Sequence, residues 1–186
     1  MKIVLASSSP RRKDLMKEIS SDFVIDVSNV DESVDPKLSP VEAVKTIALR
    51  KGEAVRIRHL DNIVISADTI VVIDNKIIGK PVDENDAVRI LKLLSGRTHL
   101  VYTAYCLFYK DKVIEEVVES NVTFYELSDE LIKDYVASKS PLDKAGAYGV
   151  QDNDHFLIVK EIKGSVSNVI GFPVDEIKQS LDSLFK

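Results

Sequence analysis

Apolar residues along this chain recur with two periods, and the changes of period mark its elements. The longest apolar stretch is Ile63-Val64-Ile65-Ser66-Ala67-Asp68-Thr69-Ile70-Val71-Val72. Its β-branched residues suit a buried sheet strand, broken once by the polar trio Ser66, Asp68 and Thr69 and then resumed. Shorter strands are expected at residues 2–6, 23–27 and 156–162. Asp74-Asn75 marks a tight hairpin turn between residues 71–73 and 77–78. Residues 99–109 and 112–125, separated by Lys110-Asp111, read as a long antiparallel hairpin able to bridge two lobes, with Thr98 and His99 either facing a site or, the favoured reading, at edge positions.

Helical spacing takes over elsewhere. Ser9-Pro10 opens a helix with Leu15, Met16 and Ile19 on one face, serine as its cap and proline as its first residue. Ser39-Pro40-Val41-Glu42 is a capping box, and Ala43, Ile47, Ala48 and Val55 carry the apolar face behind it. Asp83 caps a helix over residues 85–94 that Ser95-Gly96 closes. Ser128 opens another helix reaching about Ser138, and residues 174–184 form the last one.

The length of 186 residues supports one domain, or one domain of two lobes, with a hydrophobic core. A formal net charge of −5 argues against general nucleic-acid binding. No apolar stretch reaches the length of a membrane span, and no signal-peptide pattern is present. The single Cys106 sits in an apolar run and reads as a small core residue, which suits a reducing, cytoplasmic setting. His59, His99 and His155 are too scattered for a zinc site built on histidine spacing.

Several polar residues are out of place for stability alone. A carboxylate within an apolar strand must be paired, metal-bound or proton-sharing to offset its desolvation. Asp68 therefore either caps a turn at the strand end or serves as a catalytic base or metal ligand at the strand's carboxyl end. Ser7-Ser8-Ser9-Pro10-Arg11-Arg12 puts two arginines in a first helical turn, where they oppose the helix dipole. The same segment offers hydroxyls, backbone N–H groups and guanidinium groups to a phosphate; the other reading is a solvated basic helix start. Glu32, in the acidic turn Asp31-Glu32-Ser33-Val34-Asp35, is either solvated or a carboxylate for magnesium. Lys51 lies mid-helix beside Gly52, and Gly79-Lys80-Pro81 presents an ammonium on a stiff, exposed backbone. In residues 141–151, small residues would let a ligand approach the backbone, and Gln151 at the end either faces solvent or offers an amide to a nucleobase edge. Residues 164–173 are a second small-residue loop.

Taken together, six segments resemble the Maf family of nucleoside triphosphate pyrophosphatases. They are Ser7 to Arg12; Ala67-Asp68-Thr69; Gly79-Lys80-Pro81; Ser95-Gly96 with His99 and Thr103; Asp143-Lys144-Ala145-Gly146-Ala147-Tyr148-Gly149 with Gln151; and Gly164-Ser165 with residues 168–173. The resemblance spans nearly the whole chain, in order and in spacing. It implies an α/β fold over residues 1–186, a single domain of two lobes around a long mixed β-sheet flanked by helices. That fold is similar to the inosine triphosphate pyrophosphatases, with the active site in the central cleft. It further implies hydrolysis of a nucleoside triphosphate to monophosphate and pyrophosphate with a divalent metal, Mg2+ or Mn2+, and it suggests a homodimer.

Within the family the dTTP/UTP subgroup is the nearer, because it carries the Asp-Lys-Ala-Gly-Ala-Tyr-Gly segment followed by Gln. The resemblance makes Asp68 the general base and associates Arg11, Thr69 and Gln151 with base choice. One departure stands out: Asp152 occupies the place where a glycine usually follows the Gln. The residue chemistry agrees with this reaction. Arg11, Arg12, Lys51 and Lys80 supply positive charge for a polyphosphate, Ser8 adds a hydroxyl, and Glu32 and Asp68 can hold the metal. The expected substrates are dTTP, UTP and modified pyrimidine triphosphates. The alternatives are the same reaction on purine triphosphates, or a nucleotide-binding regulator of cell division without turnover. No nucleic-acid or membrane partner is expected.

Overall fold

In the computed structural model, which describes residues 2–185, the expected strands and helices form a mixed α/β arrangement. In chain order the elements are β1 (Ile3–Leu5), α1 (Pro10–Met16), β2 (Phe23–Ile25), α2 (Pro40–Arg56), β3 (Ile63–Ile73), β4 (Lys76–Ile78) and α3 (Glu84–Leu94). They continue with β5 (Thr98–Tyr109), β6 (Lys112–Phe124), α4 (Asp129–Ala137), β7 (Val159–Lys163), α5 (Val166–Ile170) and α6 (Val174–Leu184). Among the described residues the strands make one seven-stranded sheet in the order β2-β1-β3-β5-β6-β7, with β4 paired to β3. The β1 strand is parallel to both β2 and β3, whereas β3–β4 and β6–β7 are antiparallel, so the sheet is mixed as expected.

The chain divides into two compact units. The first holds the described residues up to Thr69, Thr103–Val118 and those from Ser167 on; the second holds Ile70–Tyr102 and Glu119–Val166. In the first unit the two faces of β3 are set by the period-2 alternation of a strand. Ile63, Ile65 and Ala67 join Leu5, Met16, Tyr105, Phe172 and Ile177 in one buried cluster, toward α1 and α6. The alternate residue Ser66 turns the other way and donates to the Ala48 carbonyl of α2 at 2.7 Å. In the second unit α3 and α4 pack together. There His99, Phe124 and Tyr148 form an edge-to-face aromatic cluster with ring centroids 4.7–5.3 Å apart.

The capping chemistry forms as read. Ser39 and Glu42 make the full capping box of α2, Ser9, Asp83 and Ser128 cap α1, α3 and α4, and Asp74 and Asn75 turn the β3–β4 hairpin at positive φ. Cys106 is buried, and burial pushes its thiol up to about 12.

Three expectations are corrected. The β3 strand is not broken at its polar trio: it runs unbroken for 11 residues, so Asp68 lies mid-strand rather than at a strand end. Extended backbone tolerates polar residues whose side chains find partners, and Ser66, Asp68 and Thr69 all do. His99 is not at an edge; it is buried, its Nε2 lies 2.8 Å from the Tyr148 hydroxyl, and burial holds its pKa down at about 4. In residues 141–149, what approaches the glycine backbone is the chain itself. A Cβ at Gly146 (φ +71) would sit 2.9 Å from the Val71 side chain, and the Gly146 N–H donates to the Gly79 carbonyl at 3.1 Å.

Candidate functional site

Three of the charged residues singled out in the sequence meet in the first unit. Asp68 points from β3 toward α2, and its Oδ1 lies 2.7 Å from the Lys51 ammonium. On the other side of that ammonium, the Glu32 carboxylate from the acidic turn lies at 3.0 Å. The Lys51 and Asp68 side chains are only 11% and 12% exposed, which places their pair in low dielectric, while Glu32 is 60% exposed. No donor among the described residues reaches Asp68 Oδ2. Lys51 is thus settled by its neighbours, and its place beside Gly52 has a separate cause. A Cβ at position 52 would lie 2.0 Å from the Phe108 ring and 2.6 Å from Ser66 Oγ, so α2 needs glycine there to sit this close to the sheet.

Thr69 faces the other side of β3 and meets Arg12 from α1. The Arg12 guanidinium donates from Nε to the Gly171 carbonyl at 2.9 Å, from Nη1 to Ser7 Oγ at 3.3 Å and from Nη2 to Thr69 Oγ1 at 3.0 Å. Thr69 Oγ1 lies 3.0 Å from Thr103 Oγ1, and Thr103 donates to the Asn168 carbonyl at 2.9 Å. Since Thr103 spends its proton on that carbonyl, the Thr69 proton goes to Thr103, and the Thr69 lone pairs are left for Arg12. Burial of the guanidinium lowers its pKa, and Asp68 and Glu32 partly oppose this from a distance. Gly171 suits its place through its φ of +115, and a Cβ there would also lie a tight 3.1 Å from Thr69 Oγ1.

The serine-rich turn is partly committed to the fold. Ser9 Oγ accepts the Arg12 N–H as the helix cap, and Ser7 Oγ accepts both the Ser9 N–H and Arg12. Ser8 is exposed, and Arg11 is half-buried in the first turn of α1.

Lys80 and Gln151 belong to the second unit. Both are exposed, Lys80 just after β4 and Gln151 in a short 3-10 turn over Val150–Asp154. Sequence reasoning counted Ser7 among the hydroxyls offered to a phosphate and assigned no role to Thr103 or Gly171; all three hold Arg12 and Thr69 in place. Only the glycine two residues before Pro173 carried a local signal.

Among the described residues no group of three or more His, Cys, Asp or Glu side chains could hold a metal ion. Glu32 and Asp68 nevertheless fit one. Two hard oxygen donors from separate segments already converge on one cation, and magnesium-type sites take one or two carboxylates with substrate phosphates and water completing the shell.

A dTTP/UTP pyrophosphatase from Bacillus cereus (strain B4264) is 44% identical over 180 residues, covering 97% of this chain and 94% of that protein. Its counterpart from strain AH187 matches to the same extent, 44% over 97% and 94%. In structure, a HAM1 protein from Coxiella burnetii superposes with a TM-score of 0.54 over 98% of this chain and 99% of its own, at 15% identity, which speaks for the fold alone. The family described as Maf-like protein matches residues 2–184, and the chain belongs to it.

Proposed function

We propose that this chain hydrolyses nucleoside triphosphates to the monophosphate and pyrophosphate, with dTTP and UTP as its substrates. What supports the reading is a nearly enclosed Asp68 whose Oδ1 is tied to Lys51 while its Oδ2 has no donor, in a chain 44% identical to proteins named dTTP/UTP pyrophosphatase. In this reading water attacks the α-phosphorus and the bond from that phosphorus to the α–β bridging oxygen breaks. Pyrophosphate leaves with the bridging oxygen, and Asp68 accepts the proton of the attacking water. Lys51 fixes the Asp68 carboxylate. Arg12 faces the polyphosphate with the donors it has left, and Arg11, Lys80 and the Ser8 hydroxyl add to them.

Glu32 and Asp68 would hold Mg2+ or Mn2+, which when bound supplies positive charge to the polyphosphate and makes water more acidic. The Gln151 amide can donate and accept at once, as the O4 and N3–H edge of uracil or thymine requires. Thr69 contributes through Arg12. The single buried thiol fits a cytoplasmic setting. Among the described residues no helix is long and apolar enough to cross a membrane.

The test is pyrophosphate release from a panel of purine and pyrimidine triphosphates, with magnesium or manganese, for the wild type and Asp68→Asn. Release from dTTP and UTP is expected, and Asp68→Asn lowers kcat by at least about 100-fold while its thermal unfolding stays cooperative. A variant that turns over at the wild-type rate overturns the assignment of Asp68. Tight nucleotide binding without release from the wild type points instead to a regulator, and release from purines alone overturns the role given to Gln151.

A further inference from the structure

We infer that Asp152 is a positioning residue that sets base discrimination by clamping the turn from which Gln151 projects. This rests on the reading of Gln151 as the residue that contacts the base. The Gln151 side chain is exposed and makes no hydrogen bond among the described residues, so whatever orients it must act through its backbone. That backbone is tied from both sides. Asp152 Oδ2 accepts the Tyr135 hydroxyl at 2.6 Å and the Ser140 hydroxyl at 2.7 Å. The Tyr135 oxygen also accepts the Gly149 N–H at 3.0 Å, so one phenol grips the chain two residues before Gln151 and one residue after it.

The main chain closes the same turn. The Asp152 N–H donates to the Gly149 carbonyl at 3.1 Å, and the Asp152 carbonyl accepts the N–H groups of His155 and Phe156 at 3.1 and 2.9 Å. Lys144 Nζ stands 3.9 Å from Asp152 Oδ2, a weak supplement to the two hydroxyls.

Two hydroxyl donors from α4 and the segment after it converge on one carboxylate oxygen, and Tyr135 is fully enclosed. Burial, and the negative charge it faces, keep the phenol protonated and donating well above neutral pH. Hydrogen bonds to an ionised oxygen are the stronger kind. An amide on a fixed backbone has already lost the backbone share of the freedom that meeting a base would cost, and that favours the one edge it matches. Asp152 therefore acts on Gln151 without touching the substrate.

The experiment measures kcat/KM for UTP and for CTP in the wild type, Gln151→Ala, Asp152→Ala and Asp152→Asn. Both hydroxyls fall on a single oxygen, so the asparagine amide oxygen can take them over. The expected result is that Gln151→Ala and Asp152→Ala each reduce the UTP-over-CTP preference about tenfold. For Asp152→Ala the loss comes mainly through the KM for UTP, and Asp152→Asn stays within about threefold of the wild type. If Gln151→Ala loses the preference and Asp152→Ala keeps it, the inference is overturned while the reading of Gln151 stands. If Gln151→Ala keeps the preference, both are overturned. An equal loss on UTP and CTP in Asp152→Ala makes the clamp merely structural and also overturns the inference. Should Asp152→Ala lack a cooperative melt, Tyr135→Phe removes two of the same hydrogen bonds, the one to Asp152 and the one from Gly149. It is expected to lower the preference several-fold, and no change in that variant overturns the inference.

Discussion

Two cations flank β3 in the first unit. Lys51 comes from α2 and finds carboxylates on both sides, Asp68 at 2.7 Å and Glu32 at 3.0 Å. Arg12 comes from α1 to the opposite face and finds only neutral acceptors, the Ser7 and Thr69 hydroxyls and the Gly171 carbonyl. No carboxylate among the described residues is within hydrogen-bonding distance of its guanidinium. The difference separates two jobs. A cation compensated by two carboxylates has little pull left for a polyphosphate and serves to hold Asp68. A cation held by dipoles keeps its charge, and each terminal nitrogen of Arg12 retains an N–H, so in the proposed reaction an arriving phosphate would complete its environment.

If the jobs are so divided, removing the two charges must register in different measurements. Lys51→Met leaves the enclosed Asp68 carboxylate facing Glu32 with nothing between them. Breaking such a pair by deleting one partner costs about 3 kcal/mol of stability. The drop is expected in urea unfolding at neutral pH, and turnover falls with it because Asp68 loses its orientation. A stable Lys51→Met protein would show that Asp68 needs no partner and would remove half of the contrast.

Arg12→Lys keeps the charge and loses the planar fork that reaches three acceptors at once. Its acceptors are neutral, so the stability cost is about 1 kcal/mol. The KM for the triphosphate is expected to rise about tenfold, because an ammonium cannot keep those contacts and also present aligned donors to a phosphate. Steady-state kinetics alongside a melting curve separates the two effects. An unchanged KM with a large loss of stability would give Arg12 the structural role and reverse the comparison.

How far these roles could be read in the sequence depends on how local their causes are. Caps and turns are decided within a few residues, which is why Ser39, Asp83 and Asp74-Asn75 behave as their neighbours dictate. The continuity of β3 through Asp68 was not legible, since it depends on Lys51, 17 residues away, and on Ala48 receiving the Ser66 proton. Nor could sequence separate Arg11 from Arg12: adjacent positions on a helix point about 100° apart, and only the placement of Thr69 and Gly171 tells which one faces inward. The buried His99 was misjudged for the same reason, because its partners Phe124 and Tyr148 are remote in the chain. The family was legible through motif order and spacing, before any geometry.

The finest element of the contrast is a single hydroxyl. Thr103 is fully buried, and by donating to the Asn168 carbonyl it obliges Thr69 to donate to it in turn. The Thr69 lone pairs then face Arg12 with no competing proton. Thr103→Val keeps the shape and removes the hydroxyl. The Thr69 proton then has no acceptor on its own side, and its next choice, the Gly171 carbonyl at 3.5 Å, is already shared with Arg12 Nε. The triphosphate KM should rise about threefold, with little change in kcat, and Thr103→Ser should restore it. A merely structural threonine would lower stability in the valine variant without moving KM. In that case Arg12 does not depend on the direction of the hydroxyl chain, and its neutral surroundings alone account for its free charge.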